Sequence, residues 1–217
     1  MAPARGVAAI IVASLALGFV LTSPTALRRE FLQARVAHLV LDGEVVCLAA
    51  PIAPRVLLTA QHCVELNASR LRVTIGGDEL SIRGIRALRP HGHSLAELEG
   101  GDLAVLFTDR PMGIEPLGLG PAATARRASF VTRQEDVITV GVRSDATSLY
   151  ARAATCGGDS GGPLFEDLDR LIAVASWRSP GPCGTGTSVF TRTDTYQPWI
   201  EKAVRELSET SVDGDGR

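Results

Sequence analysis

Short apolar runs separated by turn residues are the feature that most limits what this chain can fold into. They recur from residue 36 onward, and in several of them apolar and polar side chains alternate, as in "LRVTIG" at 71–76. Alternation with a period of two places every second side chain on one face of a strand, whereas a helix needs a period of about 3.6. Many short strands at this spacing predict an all-β sandwich or barrel rather than a succession of βα units.

Two groups of such runs flank a segment rich in proline and glycine. This segment, residues 109–125, holds three prolines and three glycines and no periodic pattern, so we predict that it links two groups of strands. A helix is predicted over about 194–208, where apolar residues such as Ile200, Ala203 and Leu207 share one face. The polar residues 209–217 are predicted to be a disordered tail.

The first 26 residues are typical of an export signal. Arg5 precedes a stretch without charge that lasts until Arg28. Its apolar centre, 7–21, is shorter than the about 20 residues that a membrane-spanning helix needs. We therefore predict a signal peptide over 1–26 and a secreted or periplasmic protein, and the alternative is a membrane anchor formed by residues 6–27.

The charge pattern limits the partners. Basic residues number 22 and acidic residues 24, which gives a formal net charge of −2, and no block of like charge occurs. Binding to nucleic acid is therefore not expected. Contact with a membrane is expected only if the N-terminal segment is retained, and no pattern indicates an oligomeric state.

The four cysteines fit an exported chain in an oxidising compartment. They allow three pairings, of which sequence neighbours favour Cys47 with Cys63 and Cys156 with Cys183. A metal site is the competing interpretation. It is disfavoured because no Cys-x-x-Cys occurs and the histidines lie apart from any close pair of thiols.

A serine enclosed by glycines, Ser160 in "CGGDSGGPLF", is the first candidate for chemistry. A serine hydroxyl becomes a nucleophile only with a base to take its proton and donors for the oxyanion. Of the four histidines, His62 follows an apolar strand in "LLTAQHC" and neighbours a cysteine that would fix it. His91 and His93 could be imagined as metal ligands, but "RPHGHS" favours a surface loop.

The segments "LLTAQHC", "GGDLAVLF" and "CGGDSGGPLF" resemble, in this order, the three catalytic blocks of the chymotrypsin/trypsin-like serine proteases. "VASW" followed by Cys183 resembles the substrate-binding strand of that family, and "YQPWIEKAV" resembles its terminal helix. The resemblance implies two six-stranded antiparallel β-barrels with a C-terminal α-helix, in a compact, bacterial-type member. It implies a protease domain over 27–208, with a first barrel at about 36–110 and a second at about 122–193. It implies no cofactor and no metal.

The roles implied by the resemblance are those of a serine endopeptidase acting on a protein or peptide. Ser160 would attack the carbonyl carbon, His62 would act as general base and then general acid, and Asp102 would orient His62. The backbone N–H groups of Gly158 and Ser160 would form the oxyanion hole. We expect the surrounding glycines because the substrate approaches the backbone closely.

Specificity is predicted from the positions that match the family's substrate pocket. Ala154 would lie at the base of the primary pocket and offers no carboxylate for an arginine or lysine of the substrate. Arg178 and Ser188 occupy positions that are often glycine in open pockets, so they would narrow it and favour small aliphatic residues. The alternative is that the Arg178 guanidinium favours an acidic residue. The pocket is completed by Thr155, Ser176 and Trp177.

Because of two departures from the family's pattern, the sequence does not indicate how the protein would be activated. Asp159 resembles the carboxylate that pairs with a new N-terminal amine, yet no Ile-Val-Gly-Gly precedes Cys47. Cleavage after Arg29 or Arg35 would give unusual termini, so Asp159 pairs either with an arginine or with the amine left by removal of the signal. Ser160 also lies only 58 residues after Asp102, which indicates trimmed loops. A non-catalytic or dormant binding or regulatory protein on the same fold is therefore the alternative function.

Overall fold

The computed structural model describes residues 23–65, 67–89, 101–152 and 155–212. Most of the predicted leader or anchor, together with Ala154, His91 and His93, lies outside these residues. Within the described ranges, no helix is both long and apolar enough to cross a bilayer.

The first group of strands closes into a barrel in which all pairs are antiparallel. The order around the barrel is β1-β2-β3-β6-β5-β4. Its strands are β1 (Ala37–Leu41), β2 (Glu44–Ala53), β3 (Val56–Thr59), β4 (Arg72–Ile75), β5 (Asp78–Ala87) and β6 (Ala104–Thr108). The predicted alternation is visible in β4, where Val73 and Ile75 are buried and Arg72 is exposed. A short helix, α2 (Gln61–Glu65), follows β3 directly.

The second group forms another barrel. Six strands close in the order β8-β9-β10-β13-β12-β11, because β11 pairs with both β12 and β8. They are β8 (Arg127–Val131), β9 (Val137–Ser144), β10 (Ser148–Arg152), β11 (Pro163–Glu166), β12 (Arg170–Arg178) and β13 (Thr187–Arg192). A two-residue strand in the linking segment, β7 (Gly118–Leu119), adds to β12 in parallel. Phe130 and Phe190 meet edge to face inside this barrel, with ring centroids 5.6 Å apart. The all-β class with two six-stranded antiparallel barrels is thus confirmed.

Two longer helices flank the barrels, and both differ from the prediction. The helix α1 (Pro24–Gln33) was not predicted; Ser23 caps it by accepting a hydrogen bond from the N–H of Ala26, with proline at the first turn. The helix α3 (Gln197–Val212) continues four residues past the predicted end at 208. The prediction of disorder was therefore wrong for 209–212, because the helix continues through this polar turn, where the side-chain Oγ1 of Thr210 also donates to the Glu206 carbonyl.

Candidate active site

His62 lies in α2, at the point where the first barrel faces the second. The disulfide between Cys47 and Cys63 ties this helix to β2, as the sequence predicted. The Nδ1 atom of His62 lies 2.7 Å from Oδ2 of Asp102. Because an ionised carboxylate only accepts hydrogen bonds, Nδ1 carries the proton and Nε2 is left as an acceptor. A base with a free Nε2 lone pair is the form that can take a proton from a hydroxyl.

Asp102 is completely buried two residues before β6, and three hydrogen bonds satisfy its carboxylate. Besides the Nδ1 bond, Oδ1 accepts from the backbone N–H of His62 at 3.0 Å, and Oδ2 accepts from the Ser176 hydroxyl at 2.6 Å. Ser176 belongs to β12 of the second barrel. The carboxylate that orients the histidine is thus held by both barrels.

Ser160 lies in the loop before β11, which we call the oxyanion loop (156–160). Its carbonyl accepts from the N–H of Leu48 at 2.7 Å, so the loop is joined to the first barrel. Its Oγ atom donates to the Ser176 carbonyl at 3.5 Å, and no hydrogen bond joins it to His62 among the described residues. A change of side-chain rotamer is needed to bring Oγ to Nε2, and such bonds are often formed only when substrate is bound.

The glycines after Ser160 are required by packing between the barrels. A Cβ atom on Gly161 would lie 2.1 Å from the Leu48 carbonyl oxygen and 2.2 Å from Oγ1 of Thr59. A Cβ atom on Gly162 would lie 2.9 Å from the Asp159 carbonyl oxygen. Both approaches are shorter than a van der Waals contact, and the one at Gly161 is far shorter, so neighbouring protein atoms, rather than substrate as we expected, explain these two glycines.

Gly158, before Ser160, is also required to be glycine. Its φ is +87°, a conformation that favours glycine, and its Cβ would lie 2.6 Å from Cδ of Arg133. Among the described residues, the N–H groups of Gly158 and Ser160 donate to no protein atom. These are the two donors that the sequence proposes for the oxyanion hole.

Asp159 is completely buried and makes two short hydrogen bonds to backbone. Its Oδ1 accepts from the N–H of Arg133 at 2.7 Å, and its Oδ2 accepts from the N–H of Cys156 at 2.6 Å. Burial raises the pKa of Asp159 above the usual range, while these two N–H groups and the positive charge of Arg133 act in the opposite direction. Asp159 thus contacts Arg133 only through the main chain, and no ion pair between Asp159 and an arginine forms within the described ranges.

The candidate pocket residues converge beside the oxyanion loop. Ser188 on β13 is buried, and its Oγ accepts from the N–H of Thr155 at 3.0 Å and lies 2.8 Å from Thr155 Oγ1. Arg178 lies at the end of β12, and its Nη1 donates to carbonyls of the loop that follows. The shortest of these hydrogen bonds is to the Gly181 carbonyl, at 2.8 Å. The Nε1 atom of Trp177 is buried without a partner in the described part of the chain. The disulfide between Cys156 and Cys183 joins the loop after β12 to the oxyanion loop, as predicted.

Metal binding is not favoured by these side chains. The Sγ atoms of Cys47 and Cys63 and a ring nitrogen of His62 lie within 4.8 Å of one another. Both sulfurs, however, are joined in a disulfide and cannot act as thiolates.

Two contacts in this site were missed at the level of sequence. Ser176 was predicted only as a pocket residue, and the sequence did not indicate that its hydroxyl donates to Asp102. The N–H of Arg133 as a partner of Asp159 was also missed, because any residue except proline supplies a backbone N–H and the sequence carries no signal for it.

Comparisons with known proteins agree with this architecture. The family model described as "Trypsin" matches residues 123–200. "Serine protease 1" of Drosophila melanogaster is 49% identical over 49 residues, which cover 22% of this chain and 18% of that protein. "Venom plasminogen activator" of Agkistrodon piscivorus leucostoma is 42% identical over 52 residues, or 23% of this chain and 19% of that protein. The matched segments thus span about a fifth of these curated relatives.

Solved structures match much more of the chain, at low identity. Human heparin binding protein superposes with a TM-score of 0.65 at 22% identity, covering 82% of this chain and 93% of that one. Neuropsin, a serine protease of mouse brain, gives a TM-score of 0.65 at 22% identity and covers 80% of this chain and 96% of that one. At this identity the likeness concerns the fold alone.

Proposed function

We propose that this chain is a serine endopeptidase of the trypsin-like type that hydrolyses peptide bonds through an acyl-enzyme; the match of residues 123–200 to the trypsin family model supports this. One observation carries the proposal. The buried carboxylate of Asp102 holds His62 at 2.7 Å in the tautomer that accepts a proton at Nε2, and the second barrel presents Ser160 across the cleft. This combination of a base, its orienting group and an adjacent hydroxyl is what nucleophilic catalysis requires.

In the proposed mechanism, the Ser160 hydroxyl leaves the Ser176 carbonyl and turns to Nε2 of His62. As Oγ attacks the carbonyl carbon of the substrate, its proton passes to Nε2, and the buried charge of Asp102 stabilises the resulting imidazolium. The N–H groups of Gly158 and Ser160 bind the oxyanion. The imidazolium then gives its proton to the leaving amine, and water, activated by His62 in the same way, releases the acyl group.

The proposed preference is for small aliphatic residues before the scissile bond. Ser188 and Thr155 are buried and bond to each other, and neither carries a charge that would pair with a charged substrate side chain. Part of the Arg178 guanidinium is used by its own loop, which supports the small-residue preference over the acidic one. Cleavage of a peptide library separates the two: enrichment of alanine or valine supports the proposal, and enrichment of aspartate or glutamate overturns it.

The alternative is a non-catalytic or dormant binding or regulatory protein. The observation that favours it is the orientation of Ser160, whose hydroxyl bonds to a carbonyl rather than to His62. Such a protein would keep its fold and disulfides but would not react with reagents specific for an activated serine.

Labelling with a fluorophosphonate probe tests the two functions. We expect the wild-type chain to be labelled and Ser160→Ala to be unlabelled, because only an activated serine reacts rapidly with this reagent. Ser208→Ala, which removes a hydroxyl from α3 far from the site in sequence, is the matched control and should label like the wild type. No labelling of the wild type, or equal labelling of wild type and Ser160→Ala, would overturn the endopeptidase proposal.

We further propose that the protein is exported, with a leader over 1–26. The two disulfides support this, because such bonds persist in oxidising compartments. N-terminal sequencing of the mature protein tests it: a first residue near Leu27 supports removal, and an intact Met1 in the membrane fraction supports the anchor of residues 6–27.

A further inference from the structure

The helix α1 packs on the second barrel before the chain enters the first one. Leu32 is completely buried in the same apolar cluster as Val131 at the end of β8. Gln33 donates from Nε2 to the Glu135 carbonyl at 2.5 Å. Arg29 forms an exposed ion pair with Asp136 at 3.3 Å. The helix therefore rests on the connection between β8 and β9, which we call the β8–β9 turn (132–136).

The β8–β9 turn is closed by its own hydrogen bonds. The N–H of Thr132 donates to the Asp136 carbonyl at 2.9 Å, and the N–H of Glu135 donates to the Thr132 carbonyl at 2.8 Å. Glu135 has a φ of +65°, so this turn contains a conformation that a residue with a side chain rarely adopts. External contacts from α1 at Glu135 and Asp136 help to hold it.

The same turn binds the oxyanion loop. Its Arg133 donates the backbone N–H that Asp159 accepts at 2.7 Å, and Asp159 is the direct neighbour of Ser160. A continuous set of contacts thus runs from α1 through the turn to the buried carboxylate and the proposed oxyanion donors. Displacement of the turn would remove one of the two hydrogen bonds that hold Asp159.

We infer that α1 is a positioning element for the oxyanion loop, so that proteolytic removal of α1 lowers activity instead of creating it. This inference rests on the proposed endopeptidase function. Arg29, Leu32 and Gln33 all lie after residue 26, so a chain that has lost the predicted signal peptide, and with it the Ser23 cap, still carries these three residues. Such a chain is active without a further cut.

The two arginines that sequence analysis singled out as cleavage sites differ in access. Arg35 is buried, its guanidinium lies 3.4 Å from the centre of the Phe31 ring, and its Nη1 donates to the Phe31 carbonyl. Arg29 has an exposed side chain, 52% accessible, in the middle of α1. The accessible cut is therefore the one that divides α1 and separates Arg29 from Gln33.

The test compares single substitutions in the full chain with a chromogenic ester substrate. Gln33→Ala removes the bond to the turn, and we expect kcat to fall about tenfold with KM nearly unchanged. This is less than the about 100-fold loss caused by removal of an oxyanion donor, because the donor is displaced and not removed. Gln33→Lys keeps a long N–H donor and should restore most of the activity. Gln197→Ala, which removes an exposed bond between Gln197 and Glu201 on α3, is the matched control and should leave kcat unchanged.

A measurement that does not depend on catalysis separates this inference from the proposed function. Hydrogen exchange at the Arg133 amide should be faster in Gln33→Ala than in Gln197→Ala, because the turn that carries this amide is then held less firmly. Equal exchange, or an equal kcat in the two variants, overturns the inference. If the wild type reacts with no serine probe, the proposed function fails, while the exchange result still decides whether α1 holds the turn.

A second arm uses chains that begin at Leu27 and at Glu30. The first should have full activity and the second the reduced kcat of Gln33→Ala. Higher activity in the chain that begins at Glu30 would show activation by cleavage and would overturn the inference.

Discussion

Asp102 and Asp159 are both carboxylates with no exposed surface, and they lie on the two sides of the same cleft, yet their partners differ in kind. Two of the three hydrogen bonds to Asp102 come from side chains, those of His62 and Ser176. Both bonds to Asp159 come from backbone N–H groups, those of Arg133 and Cys156. A buried charge is tolerated in each case because its oxygens are satisfied.

This difference in partners means that one carboxylate can take part in proton transfer and the other can only fix the shape of a loop. A side-chain partner such as His62 can gain and lose a proton while Asp102 stays in place, so the first carboxylate can serve a reaction. A backbone N–H cannot titrate in this range, so the second carboxylate can only fix the shape of the loop that it joins. Substitutions of the two should therefore affect different properties.

The largest effect is expected from Asp102→Asn. The new amide would donate to Nδ1 of His62 and place the ring proton on Nε2, and loss of the correct tautomer costs about 10⁴-fold in kcat in this type of site. Steady-state kinetics with an ester substrate measure the loss. Asp78→Asn, at a side chain that is 62% exposed, is the control. A loss below about tenfold would contradict an orienting role for Asp102.

A smaller loss is expected from Asp159→Asn. An amide offers only one acceptor, so its NH₂ group would face the N–H of either Arg133 or Cys156, and the oxyanion loop would shift. We expect kcat to fall about 100-fold, the cost typical of a lost oxyanion donor. Binding of a peptide aldehyde, which needs the oxyanion hole, should weaken in parallel with kcat. Unchanged aldehyde binding would show that Asp159 does not shape this hole.

Ser176→Ala should lower the free energy of unfolding and should lower kcat less than either aspartate substitution does. It removes the 2.6 Å bond from the second barrel to Asp102 but leaves both bonds from His62. The free energy of unfolding should fall by about 2 kcal/mol, because a hydrogen bond to a charged group contributes about 1.5–3 kcal/mol. Urea unfolding measures this, and Ser176→Thr, which keeps the hydroxyl, should recover part of it. A loss of kcat as large as that expected for Asp102→Asn would contradict the view that Ser176 only supports Asp102.

The smallest effects are expected in the pH dependence of stability, where Asp159 can be compared with Asp194. Burial raises the pKa of Asp159, so its contribution to stability is present below about pH 3.9, the ordinary aspartate pKa, and is lost as the pH rises through the folded-state pKa. Burial also acts to raise the pKa of Asp194, but hydrogen bonds from Arg192 and from the N–H of Ala122 outweigh it and lower the pKa. Its contribution is present above about pH 3.9 and is lost as the pH falls through the folded-state pKa.

Urea unfolding of Asp159→Asn and Asp194→Asn from pH 3 to pH 8 tests this contrast. The free energy of unfolding of the wild type minus that of Asp159→Asn should decrease as the pH rises. The same difference taken with Asp194→Asn should increase. The same direction at both positions would contradict the assignment of burial as the dominant influence on Asp159.

Most of the architecture could be predicted from local patterns. The alternation in segments such as 71–76 indicates strands whatever surrounds them, and the spacing of the cysteines favoured the two pairings that the structure contains. The helix α1 could not be predicted in this way, because it overlaps the apolar leader and its stability comes from the burial of Leu32 and contacts with a turn about 100 residues away. The end of α3 was misjudged because polar residues carry little information about where a helix stops.

The sequence by itself indicated the all-β class, favoured the disulfide pairing that the structure contains, and supplied candidates for a nucleophile, a base and an orienting acid, because each has a local pattern or a characteristic residue type. Only the tertiary structure decided that Ser176 supports Asp102, that Gly161 is required by the close approach of Leu48 and Thr59, and that Asp159 is held by the N–H of Arg133. The reason is that these contacts join residues far apart in the chain, several of them through backbone groups that every residue shares, and no sequence pattern marks which of those groups will meet.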